Sequence, residues 1–305
     1  GRPMADELGI RRVGVPELPE LAGFCLPAYP GGKTRFTDPT AVEEYPEPVQ
    51  RGMYGARLEW LEGAVQRGLV AFLAGPPGAA CGLVECLPIE VAPRRVRGEG
   101  LLFVTCLWVT PPEWAGRGVG RTLLRAVEEE ARELGKAGLA TLAYARGEHK
   151  PAGFFVRQGY VEVDRRGKLV LLHRALAPGA RPPRWHDTPA WGPNAASAGE
   201  RGSDWAPTTA GRAGSIPRVD LLWSGQCPYF WAAAGAVRQW AGARAGCVEF
   251  REWRTDDPAA ADLLGTTGGV FVDQRRVDRG PCGRGEVFAL LDAACGLRGA
   301  PRPEG

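Results

Sequence analysis

Apolar positions recur along this chain with two different periods, and the switches between them outline the elements. From 57 to 69 they fall at Leu58, Leu61, Val65 and Leu69, the spacing of one helix face. Residues 70–73 and 80–87 are short apolar runs either side of Gly75-Pro76-Pro77-Gly78, the pattern of a hairpin. The run LLFVTCLWV at 101–109 is apolar on both faces, which predicts a central strand. From 121 to 134, Leu123, Leu124, Val127, Ala131 and Leu134 alternate with Glu128, Glu129, Glu130 and Arg132, an amphipathic helix. A strand at 139–144, a short helix at 151–158 and a hairpin of 160–163 with 169–172 close this part, a mixed α/β domain.

The rhythm then stops. From 177 to 217 the chain is dense in Pro, Gly, Ala and Ser without apolar periodicity, which predicts a linker, with Trp185, Trp191 and Trp205 as anchoring points on a domain surface. Beyond it strand (219–223), helix (228–240), strand (248–253), helix (258–264), strand (270–273) and helix (285–295) predict a second, smaller α/β domain of about eighty residues, a size that folds alone. The expected domains are 4–176 and 218–297. A length of 305 residues agrees with two domains.

Composition narrows the function classes. The chain is 44% hydrophobic and 24% charged with a net charge of +3, a globular balance without the concentrated basic face of a nucleic-acid binder, though a tRNA-linked acceptor is compatible with it. No apolar run reaches the length of a membrane span. Gly1-Arg2-Pro3 before Met4 has none of the features of a secretory signal, and a soluble cytoplasmic protein is expected. The eight cysteines contain no Cys-x-x-Cys pair and the three histidines lack zinc-ligand spacing, which argues against a disulfide framework and a structural metal.

The sharpest local signal is Trp114-Ala115-Gly116-Arg117-Gly118-Val119-Gly120-Arg121, between the central strand and the amphipathic helix. A glycine-rich turn that opens a helix presents unpaired amides and the positive end of the helix dipole, so it suits a phosphate. The spacing fits neither a P-loop, which ends in Gly-Lys-Ser/Thr, nor a dinucleotide-binding fingerprint. It resembles motif A of the GNAT acetyltransferases, Arg/Gln-x-x-Gly-x-Gly/Ala, with Gly118 and Gly120 matching and Ala115 in place of the first residue. Phe154-Phe155-Val156-Arg157-Gln158-Gly159-Tyr160 resembles the Phe-Tyr-x-x-x-Gly-Phe segment of the same family, with Phe155 where the family has a tyrosine that protonates the leaving thiolate. Segments over 50–176 and 218–295 are similar, in order, to the YoaP-like members, a GNAT domain followed by a small YoaP-like domain.

The resemblance implies a GNAT fold with a mixed central sheet, acetyl-CoA as acyl donor, and transfer to the amine of a small or amino-acid-like acceptor. It implies a cofactor contact along Leu107, Trp108, Val109, Ala115, Gly116, Arg117, Gly118, Val119, Gly120, Arg121 and Phe155, with the pantetheine arm paired to the strand at 106–109. The thioester then falls near Cys106 and Leu107, where a base must take the amine proton. Glu85, on a strand expected beside the central one, is a candidate for a half-buried base. Alternation equally allows it a solvent-facing place. Glu113, at the mouth of the turn, is the other candidate base, His149 is a secondary one, and Tyr144 is a substitute for the hydroxyl missing at Phe155. Cys106 invites an acyl-cysteine route, against which stands direct transfer, which needs no nucleophile.

In the second domain, Ser224-Gly225-Gln226-Cys227-Pro228-Tyr229-Phe230 puts a cysteine at a strand-to-helix turn. It resembles the Cys-Pro-Tyr-Cys site of glutaredoxins in a thioredoxin-like fold. A helix N-terminus is expected to favour the Cys227 thiolate. Phe230 at the partner position excludes dithiol exchange within this motif. Substrate or thiol contact at Cys227 and a purely structural role both stay open, and alternatives to the transferase are a CoA-binding sensor and a monothiol module.

Overall fold

A computed structural model describes residues 8–26, 47–110, 112–146, 150–186, 216–256, 268–273, 275–277 and 284–296. They divide into two compact units: 8–26, 58–92 and 96–186 form the first, and 47–57, 93–95 and the described residues from 216 onward form the second.

The first unit contains, in chain order, β1 (Ile10–Arg12), α1 (Leu18–Gly23), the C-terminal part of α2 (Glu47–Gln66), β2 (Val70–Ala74), β3 (Gly82–Pro88), β4 (Val96–Arg97), β5 (Leu101–Val109), α3 (Val119–Glu133), β6 (Gly138–Tyr144), α4 (Ala152–Arg157), β7 (Val161–Arg166), β8 (Leu169–Ala175) and β9 (Arg184–Trp185). Seven strands make one sheet in the order β1-β2-β3-β5-β6-β8-β7. Every adjacent pair is antiparallel except β5 and β6. The expected mixed sheet is therefore present, with β5 at its centre.

The apolar stripe of α3 packs on one face of this sheet. Leu123, Leu124, Val127 and Ala131 form a buried cluster with Val84 and Cys86 of β3 and Leu102 and Val104 of β5. The approach is close because residue 82 is glycine: a Cβ there would lie 2.9 Å from Val119 Cγ1 and 3.0 Å from Leu123 Cδ1. Phe155 completes the cluster, its ring edge-on to Phe154 and Tyr160 at centroid distances of 5.2 and 5.4 Å.

Three features depart from the sequence expectations. The helix expected over 57–69 begins ten residues earlier, at Glu47. The short β1 and α1 carry too few periodic residues to be seen in the pattern. Ordered structure also continues past Ala177, into the stretch expected to be linker: Arg184 and Trp185 pair with Arg97 and Val96, and the Arg166 guanidinium lies 5.0 Å from the Trp185 ring centroid. Trp185 thus anchors the chain as expected; Trp191 and Trp205 lie outside the described residues.

The second unit contains β10 (Arg218–Trp223), α5 (Pro228–Gly242), β11 (Glu249–Arg254), β12 (Gly269–Val272), β13 (Arg275–Arg276) and α6 (Arg284–Ala294). Its sheet order is β11-β10-β12-β13, with β10 parallel to β11 and the other pairs antiparallel. Val219, Leu221 and Trp223 pack with Val237 and Trp240 of α5 and Val287 and Leu291 of α6. Trp240 Nε1 donates to Asp292 at 2.9 Å, and the same carboxylate meets Arg244 at 2.7 Å. The helix expected at 258–264 lies outside the described residues.

Candidate active site

The site begins where two strands part. β5 and β6 pair in parallel only from Leu101↔Gly138 to Val104↔Thr141. Beyond that point β5 continues to Val109 alongside β3, while β6 continues to Tyr144 alongside β8. Among the described residues no strand pairs with the β6-facing edge of β5 from Thr105 to Val109, so the two strands leave a cleft between them. A bulge coincides with the parting: Glu85 pairs with Cys106 and Cys86 with Val104, which leaves Thr105 as the extra residue on β5. An extra residue bends and twists its strand, here away from β6.

The apex of the cleft is held by polar groups from β6 and the segment after it. Thr141 Oγ1 donates to the Val104 carbonyl at 2.9 Å. Lys150 Nζ donates to the same carbonyl at 3.0 Å and to that of Thr105 at 3.4 Å. The Lys150 carbonyl in turn accepts from the Tyr144 amide at 3.0 Å, which ties this residue to the end of β6.

At the other end of the exposed edge lies the glycine-rich turn. Gly116 and Gly118 have φ of 74° and 86°, the left-handed region that disfavours a Cβ. Gly118 is the N-cap of α3 and has no side chain to bond the first-turn amides. The amides of Gly118, Val119, Gly120 and Arg121 head the helix, where intrahelical acceptors are lacking and the dipole is positive. Gly120 admits Phe154: a Cβ would lie 3.2 Å from its Cζ. The Arg117 guanidinium rests 5.6 Å from the Trp114 ring centroid, so this charge stands beside the turn.

The other sequence candidates sort by burial. Glu85 is 0% exposed, since both faces of β3 are covered; the solvent-facing alternative is excluded, and the expected half-burial is in fact complete. Its register partner on β5 is the partly buried Cys106. Tyr144 is 39% exposed at the end of β6. Phe155 is fully buried in the core, where it packs instead of donating a proton. Glu113 is exposed, and His149 lies outside the described residues. Lys150, which the fold brings to the apex, carries no periodic signal in the sequence, being a lone lysine before a proline.

Residues 37–160 match the family model described as acetyltransferase (GNAT) family. The first unit carries a GNAT acetyltransferase domain. Solved structures similar to the chain include PaiA N-acetyltransferase from Thermoplasma acidophilum in complex with coenzyme A, at 16% identity and TM-score 0.39, covering 55% of this chain and 99% of that one. A GNAT family acetyltransferase from Brucella melitensis in complex with acetyl-CoA shares 18% identity at TM-score 0.37, over 59% and 94% of the two chains. YhbS from Escherichia coli in complex with CoA shares 16% at TM-score 0.39, over 61% and 92%. No curated protein matches the chain.

Outside the GNAT domain, Cys227 is the N-cap of α5, as expected from the motif. The expectation of a favoured thiolate is not met. Burial pushes the thiol above its ordinary value, although the Tyr229 and Phe230 amides and the charges of Arg57 and Arg94 pull the other way. Desolvation of a thiolate here outweighs the helix end. Among the described residues the cysteines are free thiols and no group of His, Cys, Asp and Glu is placed to hold a metal. No helix among them is long and apolar enough to cross a membrane.

Proposed function

We propose that the GNAT domain transfers an acyl group from acetyl-CoA to the amine of a small or amino-acid-like acceptor by direct attack. The observation that carries this reading is the parting of β6 from β5 after Val104, which leaves Thr105 to Val109 paired with β3 and not with β6, between the bulge and the glycine-capped start of α3. The fit to the coenzyme rests on both ends. Positive φ at Gly116 and Gly118 leaves the first-turn amides of α3 open to a pyrophosphate, and the β5 edge has the main-chain groups to pair with an amide-bearing arm.

When bound, the coenzyme supplies a thioester whose carbonyl an amine can attack. The chain's own work is to orient and to move protons. The amides of Gly118 to Arg121 would hold the diphosphate, and Leu107, Trp108 and Val109 would align the arm. Glu85, enclosed beside Cys106, accepts the amine proton directly or through water. Phe155 has no hydroxyl to protonate the departing sulfur, which takes its proton from Tyr144 at the end of β6 or from solvent.

The second unit is proposed as a thioredoxin-like, YoaP-like domain, supported by its strand order and by a cysteine at the start of α5. Its role is to bind a substrate or partner. Free thiols suit a reducing compartment, and a cytoplasmic location is proposed on that ground.

The test is a thermal-shift titration of the full chain with CoA against ADP and AMP, followed by thiol release from acetyl-CoA over a panel of amines. The proposal expects a CoA-specific stabilisation and amine-dependent release. Binding without release on any amine would favour a CoA sensor, the reading that Phe155 makes the leading rival.

A further inference from the structure

We propose that Lys150 is a catalytic residue, whose ammonium stands over the reacting thioester and donates a hydrogen bond to its carbonyl oxygen as negative charge develops there. This rests on the acetyltransferase reading above and names a group that reading did not contain.

Position comes first. The ammonium lies 3.0 Å from the Val104 carbonyl and 3.4 Å from that of Thr105, at the bulge where β6 leaves β5. A ligand that lies along β5 where β6 has left it meets the strand from Thr105 onward. A group seated at the apex would have the Lys150 ammonium as its neighbour. A thioester aligned from the Gly118 end would have its carbonyl directed toward this apex.

Backbone strain is a second, independent observation. Lys150 has φ of 45°, and among the described residues only one other non-glycine residue, Asp273, has a positive φ. Such a conformation is costly for a residue with a Cβ and persists where the surroundings enforce it, often at functional sites. Here the Tyr144 amide bonds the Lys150 carbonyl and Pro151 bridges to Tyr144, which together turn the side chain back into the cleft.

The chemistry also has an opening for it. The buried Phe155 has no hydroxyl to offset charge on the departing group. In the transfer, a nitrogen–carbon bond forms and the carbon–sulfur bond breaks. The electron pair leaves on sulfur, the amine proton passes to the base, and the sulfur is protonated from solvent. The ammonium keeps its own proton and acts through its charge. Removing one donor of this kind costs roughly 10²–10³-fold in turnover.

Capping the two carbonyls is the structural alternative, and substitutions of graded chemistry separate the two. Full-length wild type, Lys150→Gln and Lys150→Arg are compared for CoA affinity by titration and for thiol release from acetyl-CoA with hydroxylamine as acceptor. Gln keeps an N–H donor for the carbonyls but removes the charge; Arg keeps the charge. The proposal expects Gln to bind CoA as wild type does and to lose roughly 10²-fold in kcat, with Arg restoring most of it. A Gln variant with unchanged kcat overturns the proposal while the acetyltransferase reading stands. If the Gln variant fails to fold, the Arg variant decides: binding CoA with turnover near wild type supports the proposal, and binding without turnover overturns it. Wild type that neither binds CoA nor releases thiol overturns the acetyltransferase reading itself, and Lys150 with it.

Discussion

Val104 and Thr141 are the last residues to face each other across β5 and β6, and the Thr141 hydroxyl closes that pair on the Val104 carbonyl at 2.9 Å. Everything chemically distinctive about the first unit lies just beyond this pair. Before it, parallel pairing satisfies the main chain. After it, the bulge at Thr105 bends β5 and its edge opens toward the glycine turn.

Gly116 sits at φ 74° with open space where a Cβ would go, so the cost of Gly116→Ala is conformational and not steric. The left-handed region costs a residue with a Cβ about 1–2 kcal/mol. Chemical denaturation of Gly116→Ala should show a loss of that size, with CoA affinity reduced as the turn relaxes. An unchanged CoA affinity would separate the turn's shape from binding.

Glu85→Gln preserves volume in a fully buried place and removes the carboxylate. Loss of a general base lowers turnover by about 10²–10⁴-fold. The expected result is that loss with CoA affinity retained, measured as a kcat against Kd split. Cys106→Ala, which alters only the register partner of Glu85, should leave single-turnover acetylation intact; its loss would point to an acyl-cysteine route.

His173 is 4% exposed on β8, and burial holds its imidazole below the ordinary value. The unfolded chain therefore binds a proton that the folded chain refuses. The stability contributed by neutral His173 is fully present above about pH 6.5 and is lost as pH falls toward the lower folded value. Urea unfolding at stepped pH should show this decline, and His173→Gln should flatten it.

Cys227 should react with iodoacetamide at neutral pH more slowly than a free thiol, since burial raises its pKa. Faster reaction would reinstate the thiolate expected from the helix end alone.

Much of this was legible in the sequence, for reasons that can be named. The runs at 82–88, 101–109 and 138–144 carry enough apolar residues to fix strands, and the α3 stripe fixes its buried face. Gly116 and Gly118 announced a turn that demands positive φ, and it is there. What stayed hidden depends on contacts distant along the chain. Complete burial of Glu85 follows from covering both faces of β3, which alternation cannot reveal. The reach of Lys150 to Val104, 46 residues away, follows from a backbone turn and a bulge that no local pattern encodes. The Cys227 motif gave the helix end but not the desolvation that opposes it.

The most direct test of the account is a crystal structure of the full chain with CoA. It should show the diphosphate within hydrogen-bond reach of the amides from Gly118 to Arg121, and the pantetheine arm paired with β5 between Thr105 and Val109. Coenzyme lodged elsewhere, or a β5 edge sealed by the chain's own side chains, would contradict it.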